Sequence, residues 1–369
     1  MKTPSIAKGR IIIYRIFDVA VEIDLSLIEK RSVEGGRRLK FSKYPYMKAL
    51  EIPNPPIAFD LQPFTRLLFN SETKVNVVAK AYDFGVISIA FDIPVPAGTE
   101  FSELEAVTRG LDVDGSIETK AEEYVSQLMD TLKDSVTGPA VKRDFLEDYM
   151  IFYVEKLGDG FEGSTAEEFL KRYDPSRLLL YEERELSDST RRETLRHSFS
   201  YYPDDLAVIH VDNAFMIDPT GSFDMPDILE FANAQFLELR YYDHVMDIEL
   251  DSIYTELSSK SPVALFRLRE YGRLVKKMTR TVSEITELTE KVNNALKVTE
   301  DIYYSRIYRT FMSLLRSRDW ETSINEKLQV TVNTYKMTHD EIALHRGHLL
   351  ELGIIILIVL EIILFIVFL

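Results

Sequence analysis

The last 18 residues, 352–369, constrain the fold of this chain most, because they are apolar and Glu361 is their one ionisable side chain. A helix of that length reaches roughly 27 Å at about 1.5 Å per residue, close to the hydrocarbon thickness of a bilayer. A helix at the surface of a soluble core has a polar face, and this run has none. It predicts a single C-terminal transmembrane helix over 349–369, with a buried C-terminal helix as the alternative.

The position of this run predicts a tail-anchored protein whose partner is the lipid bilayer and whose head stays in the cytoplasm. The N-terminus is polar and lacks the apolar stretch of a signal peptide. His345, Arg346 and His348 flank the run and agree weakly with a cytoplasmic head. Glu361, together with Glu351, is our candidate for a contact between membrane helices, and a tolerated protonated acid is the alternative at Glu361.

The acidic balance of the chain limits its partners. The chain has 60 acidic and 44 basic residues, for a net charge of −16. Such a surface repels phosphate backbones, so no direct nucleic-acid binding is expected, although a local basic patch remains open. The chain has no cysteine, which excludes disulfides, cysteine-ligated metals and thiol catalysis.

A helical stalk is predicted over 224–348. Asp224, Pro226 and Asp227 are typical of a helix start. Three runs of apolar residues spaced by three and four follow, the second of them ending at Tyr303. These heptad-like seams predict a hairpin or a self-associating bundle, and hence a homo-oligomer formed through stalk and anchor. The polar stretch 231–243 is read as a solvated helix face, with a recognition face as the alternative.

Residues 1–220 are predicted to form a soluble α+β head with a mixed sheet. Strand composition occurs over 10–23, 75–95, 148–157, 177–183 and 205–217, and Gly85 is a candidate break within the second stretch. Helical patterns cover 101–111, 117–134 and 164–173, the last opening on a plausible capping box over 164–167.

The loop 158–163 carries the sharpest enzyme signal. Gly158, Gly160 and Gly163 match the GxGxxG pattern of dinucleotide-binding loops, between a predicted strand and a predicted helix. Asp159 and Glu162 would repel a pyrophosphate, and the following helix is short. A plain acidic glycine loop is therefore favoured over a nucleotide site.

Metal and nucleophile patterns are weak. Glu341, His345 and His348 share one helical face at i, i+4 and i+7, so they are candidate zinc ligands, although packing of the stalk is favoured. The segments 112–115 and 218–221 lack the ligand spacing of a calcium loop and are read as turns. No catalytic residue and no cofactor are predicted.

The C-terminal stretch 348–361 resembles the end of the family named "required for meiotic nuclear division". Members close with a Leu-Glu pair entering an Ile-rich helix and a second Glu ten residues later, a spacing that Glu351 and Glu361 keep. The segments 325–328 and 82–87 resemble the family's stalk helix and one strand. The resemblance implies an α+β head, a helical hairpin and a C-terminal anchor, and it implies no catalytic residues. Without a presequence, it implies a bacterial member at the cell membrane.

These observations together favour a non-enzymatic scaffold that recruits an unknown cytoplasmic protein partner to the membrane. The alternative is a nucleotide sensor or enzyme that uses the loop 158–163.

Overall fold

The computed structural model describes residues 4–30, 36–38, 54–113, 115–138, 145–158, 160–161, 163–258 and 301–367, with single positions between 259 and 300. The strands are β1 Ser5–Asp18, β2 Glu22–Ile23, β3 Gly36–Arg38, β4 Ile57–Leu68, β5 Ser71–Ala81, β6 Val86–Val95, β7 Thr99–Glu100, β8 Val136–Thr137, β9 Leu146–Leu157, β10 Ser198–Phe199, β11 Leu206–Ile209 and β12 Asn213–Ile217. The helices are α1 Leu25–Lys30, α2 Phe101–Val113, α3 Ser116–Leu132, α4 Ala166–Arg172, α5 Ser176–Leu179, α6 Asp188–Thr194, α7 Asp224–Ser258, α8 Ile302–Leu314 and α9 Ser317–Val367.

The chain divides into two compact units. The first consists of Met1–Arg240 with Asn294–Ser317, and the second of Tyr241–Asn293 with Arg318–Leu369.

A large mixed sheet forms the centre of the first unit. Its strands follow the order β10-β11-β12-β9-β1-β6-β5-β4-β3, and β7 pairs with one end of β1. The pair β9 and β12 is parallel, whereas the central pairs of β1 with β6 and β9 are antiparallel. The described part of this unit is therefore α+β with a mixed sheet, as the sequence predicted.

Both faces of this sheet are covered, which explains why β1 has an almost continuous apolar sequence instead of an alternating one. On one face, Ile11 and Ile13 join the apolar cluster that includes residues of α2 and α3. On the other, Tyr149 of β9 packs edge-to-face on Phe311 of α8, with ring centroids 5.1 Å apart. The polar stretch of α7 lies in this unit up to Arg240, and its residues Asn233, Gln235 and Glu238 are all buried there. The predicted solvated face is therefore wrong for these three residues.

Gly85 separates β5 from β6, as the sequence predicted, and its conformation excludes a side chain. Its φ is +92°, and a Cβ at this position would lie 2.1 Å from the carbonyl oxygen of Ala20. The same turn is tied to β1, because the Gly85 carbonyl accepts hydrogen bonds from the amides of Val19 and Ala20.

Gly85→Ala is expected to lower the free energy of unfolding by about 2 kcal/mol, because strain and a backbone clash add together. Gly98→Ala is the matched control, since Gly98 has a φ of +90° but open space around it. Strain alone should cost the control about 1 kcal/mol. Urea unfolding of both variants measures the difference, and equal losses would contradict the clash at Ala20.

The segment 177–183 was predicted as a strand and is not one. Its first residues belong to the short helix α5, and Tyr181 follows with a φ of +53°. The apolar side chains Leu178 and Leu179 are buried in the cluster beneath the sheet, so their composition reflects burial and not extended backbone.

In the second unit, the described end of α7 contacts α9. Lys327 of α9 donates to the Asp243 carboxylate at 2.8 Å and forms an ion pair with Asp247 at 2.7 Å. Ser323 also donates to Asp243, at 2.6 Å. Asp243, the polar residue that interrupts the predicted apolar pattern of α7, thus has Ser323 and Lys327 of α9 as partners. Most of the second predicted run lies outside the described residues, and homo-oligomerisation through the stalk remains a prediction.

Within the part of the chain that the structure describes, no helix combines the length and the apolarity needed to cross a membrane. This finding corrects the prediction of a C-terminal transmembrane helix over 349–369. The tail anchor, the membrane scaffold and the membrane location that rested on it are wrong with it.

Candidate functional site

The predicted glycine loop lies between β9 and α4, and the structure describes Gly158, Gly160, Phe161 and Gly163 of it. A Cβ on Gly158 would lie 2.3 Å from the Ser5 hydroxyl oxygen, so close packing on β1 accounts for this glycine. Gly160 and Gly163 have φ values of +84° and +70°. Asp159 and Glu162, which argued against a pyrophosphate, lie outside the described residues.

The helix after this loop satisfies its own first amides. Thr165 accepts from the Glu168 amide while the Glu168 carboxylate accepts from the Thr165 amide, so a capping box is present one residue later than the predicted 164–167. Loop conformation and helix capping are thus explained by local interactions. The role of Gly158, Gly160 and Gly163 in cofactor binding remains untested.

The remaining predicted site residues lie on α9. The side chains of Glu341, His345 and His348 lie outside those that the structure describes, so the zinc prediction is untested. No group of three potential metal ligands occurs among the described residues. Glu351 and Glu361 are exposed on this helix. They were predicted to contact another helix inside a membrane; the membrane part of that prediction is wrong, and the helix contact stays a prediction.

A different site, which we call the acidic tyrosine cavity, lies in the first unit and has a volume of about 380 Å³. Three segments far apart in sequence form it: the loop before β11, the connection from β12 to α7, and the start of α8. Its lining residues are Tyr201, Tyr202, Asp204, Asp205, Asp218, Pro219, Thr220, Ser222, Asp224, Met225, Asp301, Tyr303 and Tyr304.

Four tyrosine rings form a connected wall of this cavity. The centroid of the Tyr201 ring lies 4.8 Å from that of Tyr202 and 5.2 Å from that of Tyr303. Tyr303 in turn contacts Tyr304 with centroids 5.5 Å apart. All three contacts are edge-to-face, the geometry in which the positive edge of one ring meets the negative face of the next.

Local hydrogen bonds hold the carboxylates of the cavity in place. Asp301 is the N-cap of α8 and accepts from the amides of Tyr303 and Tyr304 at 2.8 and 3.3 Å. Asp218 accepts from the amide and hydroxyl of Thr220 at 2.8 and 2.7 Å, which confirms the predicted turn. Asp205 accepts from the Tyr201 amide at 2.7 Å. The acids therefore fix the backbone that carries the rings.

The lining of the cavity is acidic. Among its described lining residues there are five aspartates and no lysine, arginine or histidine. Burial raises the pKa of Tyr303 and Tyr304, and neighbouring aspartates raise it further, with Arg306 opposing the shift at Tyr303. Both phenols therefore stay neutral at physiological pH, and their rings keep the quadrupole that attracts cations.

The Tyr303 hydroxyl gives a second indication of a ligand. It is buried and has no hydrogen-bond partner among the described residues. A buried hydroxyl without a partner costs free energy, and a donor on a bound molecule would satisfy it.

Comparison with known proteins supports the first unit as a recognised domain. Residues 8–224 match the sequence profile of the family described as "Uncharacterized protein MJ0711, N-terminal domain". The chain belongs to this family. The match includes the sheet and the two loops that carry Tyr201, Tyr202 and Asp218, whereas Asp301, Tyr303 and Tyr304 lie beyond it.

A relative from Methanocaldococcus jannaschii, "Uncharacterized protein MJ0711", is 26% identical over 223 residues. The alignment covers 60% of this chain and 66% of the relative, just under two thirds of its length. No solved structure matches the chain.

These matches correct the resemblance to the required-for-meiotic-nuclear-division family. They contain no support for that family, and the relative is archaeal, not bacterial. The resemblance rested on an Ile-rich stretch, 348–361, whose composition matches many unrelated apolar helices. The recognisable domain is at the other end of the chain.

No single pattern in the sequence identifies the acidic tyrosine cavity. Tyr303 was read as a seam residue of the stalk, and Asp218 only as part of a turn. Paired tyrosines occur at 201–202, 241–242 and 303–304, each within two residues of an aspartate. That repeated composition was the available signal, but only the fold shows that the first and third pairs line one cavity.

Proposed function

We propose that the first unit is a binding module that takes an organic cation into the acidic tyrosine cavity. The observation that carries this proposal is the combination of four tyrosine rings with five aspartates and no basic lining residue. A cation over an aromatic face gains about 0.5–2 kcal/mol, and the carboxylates add a long-range attraction.

Several features favour an organic cation over a metal ion. The described residues contain no group of three ligands that could hold a metal, so the negative charge is distributed around the cavity. A distributed charge beside ring faces suits a quaternary ammonium or a guanidinium. The volume of about 380 Å³ lies within the roughly 300–1,000 Å³ of small-molecule sites.

Thermal unfolding of the full-length protein tests this proposal with probes of matched shape. Choline and argininamide should raise the Tm, whereas 3,3-dimethylbutan-1-ol, a neutral isostere of choline, should leave it unchanged. Potassium chloride at equal ionic strength controls for screening. An equal effect of choline and its neutral isostere would contradict a cation site.

Tyr303→Leu is expected to weaken choline binding at least tenfold, because it removes the ring at the centre of the tyrosine wall. Tyr254→Leu is the matched control, since Tyr254 is an exposed tyrosine outside the cavity. Its affinity for choline should equal that of the unmodified protein. Isothermal titration of both variants measures the difference, and equal affinities would place choline elsewhere.

A further inference from the structure

A second cleft in the first unit has the opposite charge. It lies between α4 and α6 and has a volume of about 710 Å³. Its charged lining residues are Lys171, Arg172, Asp174, Asp188, Arg191 and Arg192. We call it the basic cleft. Four cations around one cleft are unusual in a chain whose net charge is −16.

Most of the positive charge in this cleft is not neutralised. Arg191 pairs with Asp174 at 3.3 Å and with Glu185 at 3.4 Å. Lys171, Arg172 and Arg192 form no ion pair with any residue that the structure describes. Unpaired cations close together repel each other, so their proximity is favourable when an anion lies between them.

Backbone carbonyls and an aromatic ring hold two of these guanidinium groups. Arg172 donates to the Gly160 carbonyl at 2.9 Å, and its guanidinium carbon lies 5.1 Å from the centroid of the Phe161 ring. Arg192 donates through Nε to the Asp188 carbonyl at 3.1 Å. These neutral acceptors orient the Arg172 and Arg192 guanidinium groups without neutralising their charge. Both guanidinium groups keep further N–H donors for a ligand.

We propose that the basic cleft binds a small organic phosphate through Arg172 and Arg192. Guanidinium groups pair with phosphate oxygens through two parallel hydrogen bonds. The size of the cleft admits a ligand larger than a single phosphate. Glu167, Glu185 and Glu193 nearby are exposed, and they would repel an extended phosphate backbone, so a compact ligand fits better than a nucleic acid.

Isothermal titration of the full-length protein with inorganic pyrophosphate tests this proposal. We expect saturable binding that Arg192→Ala weakens about tenfold or more, since a charge-assisted hydrogen-bond pair is lost. Arg192→Lys should recover only part of the affinity, because an ammonium cannot form the two parallel bonds. Arg196→Ala is the matched control, since Arg196 pairs with Glu193 and does not line the cleft.

Three results would overturn the proposal: no binding of pyrophosphate, equal loss in Arg192→Ala and Arg196→Ala, or tighter binding of an RNA oligonucleotide than of pyrophosphate. The site is independent of the acidic tyrosine cavity, so Arg192→Ala should bind choline unchanged. Failure at one site is thereby distinguishable from failure at the other.

Discussion

Lys80→Met is expected to lower the free energy of unfolding by about 3–5 kcal/mol, because it leaves buried carboxylates without their cation. Lys80 lies on β5 beneath α7 and donates to Asp227 at 2.7 Å and to Glu230 at 2.5 Å. The Glu230 side chain is fully buried. The loss should therefore far exceed the cost of an ordinary surface substitution.

The protonation states of this cluster define its pH dependence. Burial alone would lower the pKa of Lys80, but Asp227 and Glu230 raise it, so Lys80 stays charged. Burial raises the pKa of Glu230 above the usual glutamate value, and Lys80 opposes that shift. Without Lys80 the pKa of Glu230 should rise further. The penalty of Lys80→Met should therefore shrink as the pH falls and Glu230 takes up a proton.

Urea unfolding at pH 7 and at lower pH measures both effects. Lys74→Met is the matched control, because Lys74 is an exposed lysine on the same strand, and its cost should stay within about 0.5 kcal/mol. Adding Asp227→Asn and Glu230→Gln to Lys80→Met should restore part of the stability, since no buried charge then remains. A cost no larger than that of Lys74→Met would contradict the account of this cluster.

Alkaline pH is expected to destabilise the protein strongly above about pH 10, the usual tyrosine pKa. Burial raises the pKa of Tyr14, Tyr82 and Tyr149 well above that value. Their stabilisation is fully present below the unfolded pKa and is lost as the pH rises toward the folded pKa, because only the unfolded chain releases the protons. Each tyrosine adds about 1.4 kcal/mol per pH unit, so the three together give roughly 4 kcal/mol per unit.

Urea unfolding between pH 8 and 11.5, with tyrosinate absorbance at 295 nm, measures this dependence. Tyr82→Phe isolates one residue, since the Tyr82 hydroxyl is buried without a partner among the described residues. It should leave stability at pH 7 nearly unchanged or slightly higher and reduce the alkaline slope by about 1.4 kcal/mol per pH unit. Tyrosinate absorbance that appears before unfolding would show that these phenols ionise in the folded state.

Local signals in the sequence predicted local structure well. Gly85 marked the turn between β5 and β6, Asp224 marked the start of α7, and the predicted capping box lay one residue before the observed one at Thr165. Each depends on a few neighbouring residues whose backbone geometry or hydrogen bonding is set by residue type. The α+β class followed from the same signals, because strands and helices could be recognised one at a time.

Residue composition gave wrong predictions where burial, and not secondary structure, determines which residue types occur. Leu178 and Leu179 suggested a strand and lie in a short buried helix. Asn233, Gln235 and Glu238 suggested a solvated helix face and are buried in the first unit. The core requires apolar side chains from strands and from buried helices alike. A short apolar run therefore does not distinguish a strand from a buried helix.

The acidic tyrosine cavity could not be read from the sequence because its lining residues come from distant segments. The acidic tyrosine cavity joins 201–205, 218–225 and 301–304, and the basic cleft joins residues of α4 and α6. The acidic composition of the chain did not exclude a local basic patch. The fold shows where that patch lies, between α4 and α6. The order of strands, which brings these loops together, depends on pairings between distant segments.

Isothermal titration of choline into the full-length protein and its Tyr303→Leu variant tests whether the acidic tyrosine cavity binds organic cations. We expect saturable binding of choline, no binding of 3,3-dimethylbutan-1-ol, and at least a tenfold weaker affinity for choline in Tyr303→Leu. Absence of choline binding, or equal affinity in the variant, would contradict the assignment of the acidic tyrosine cavity as a site for organic cations.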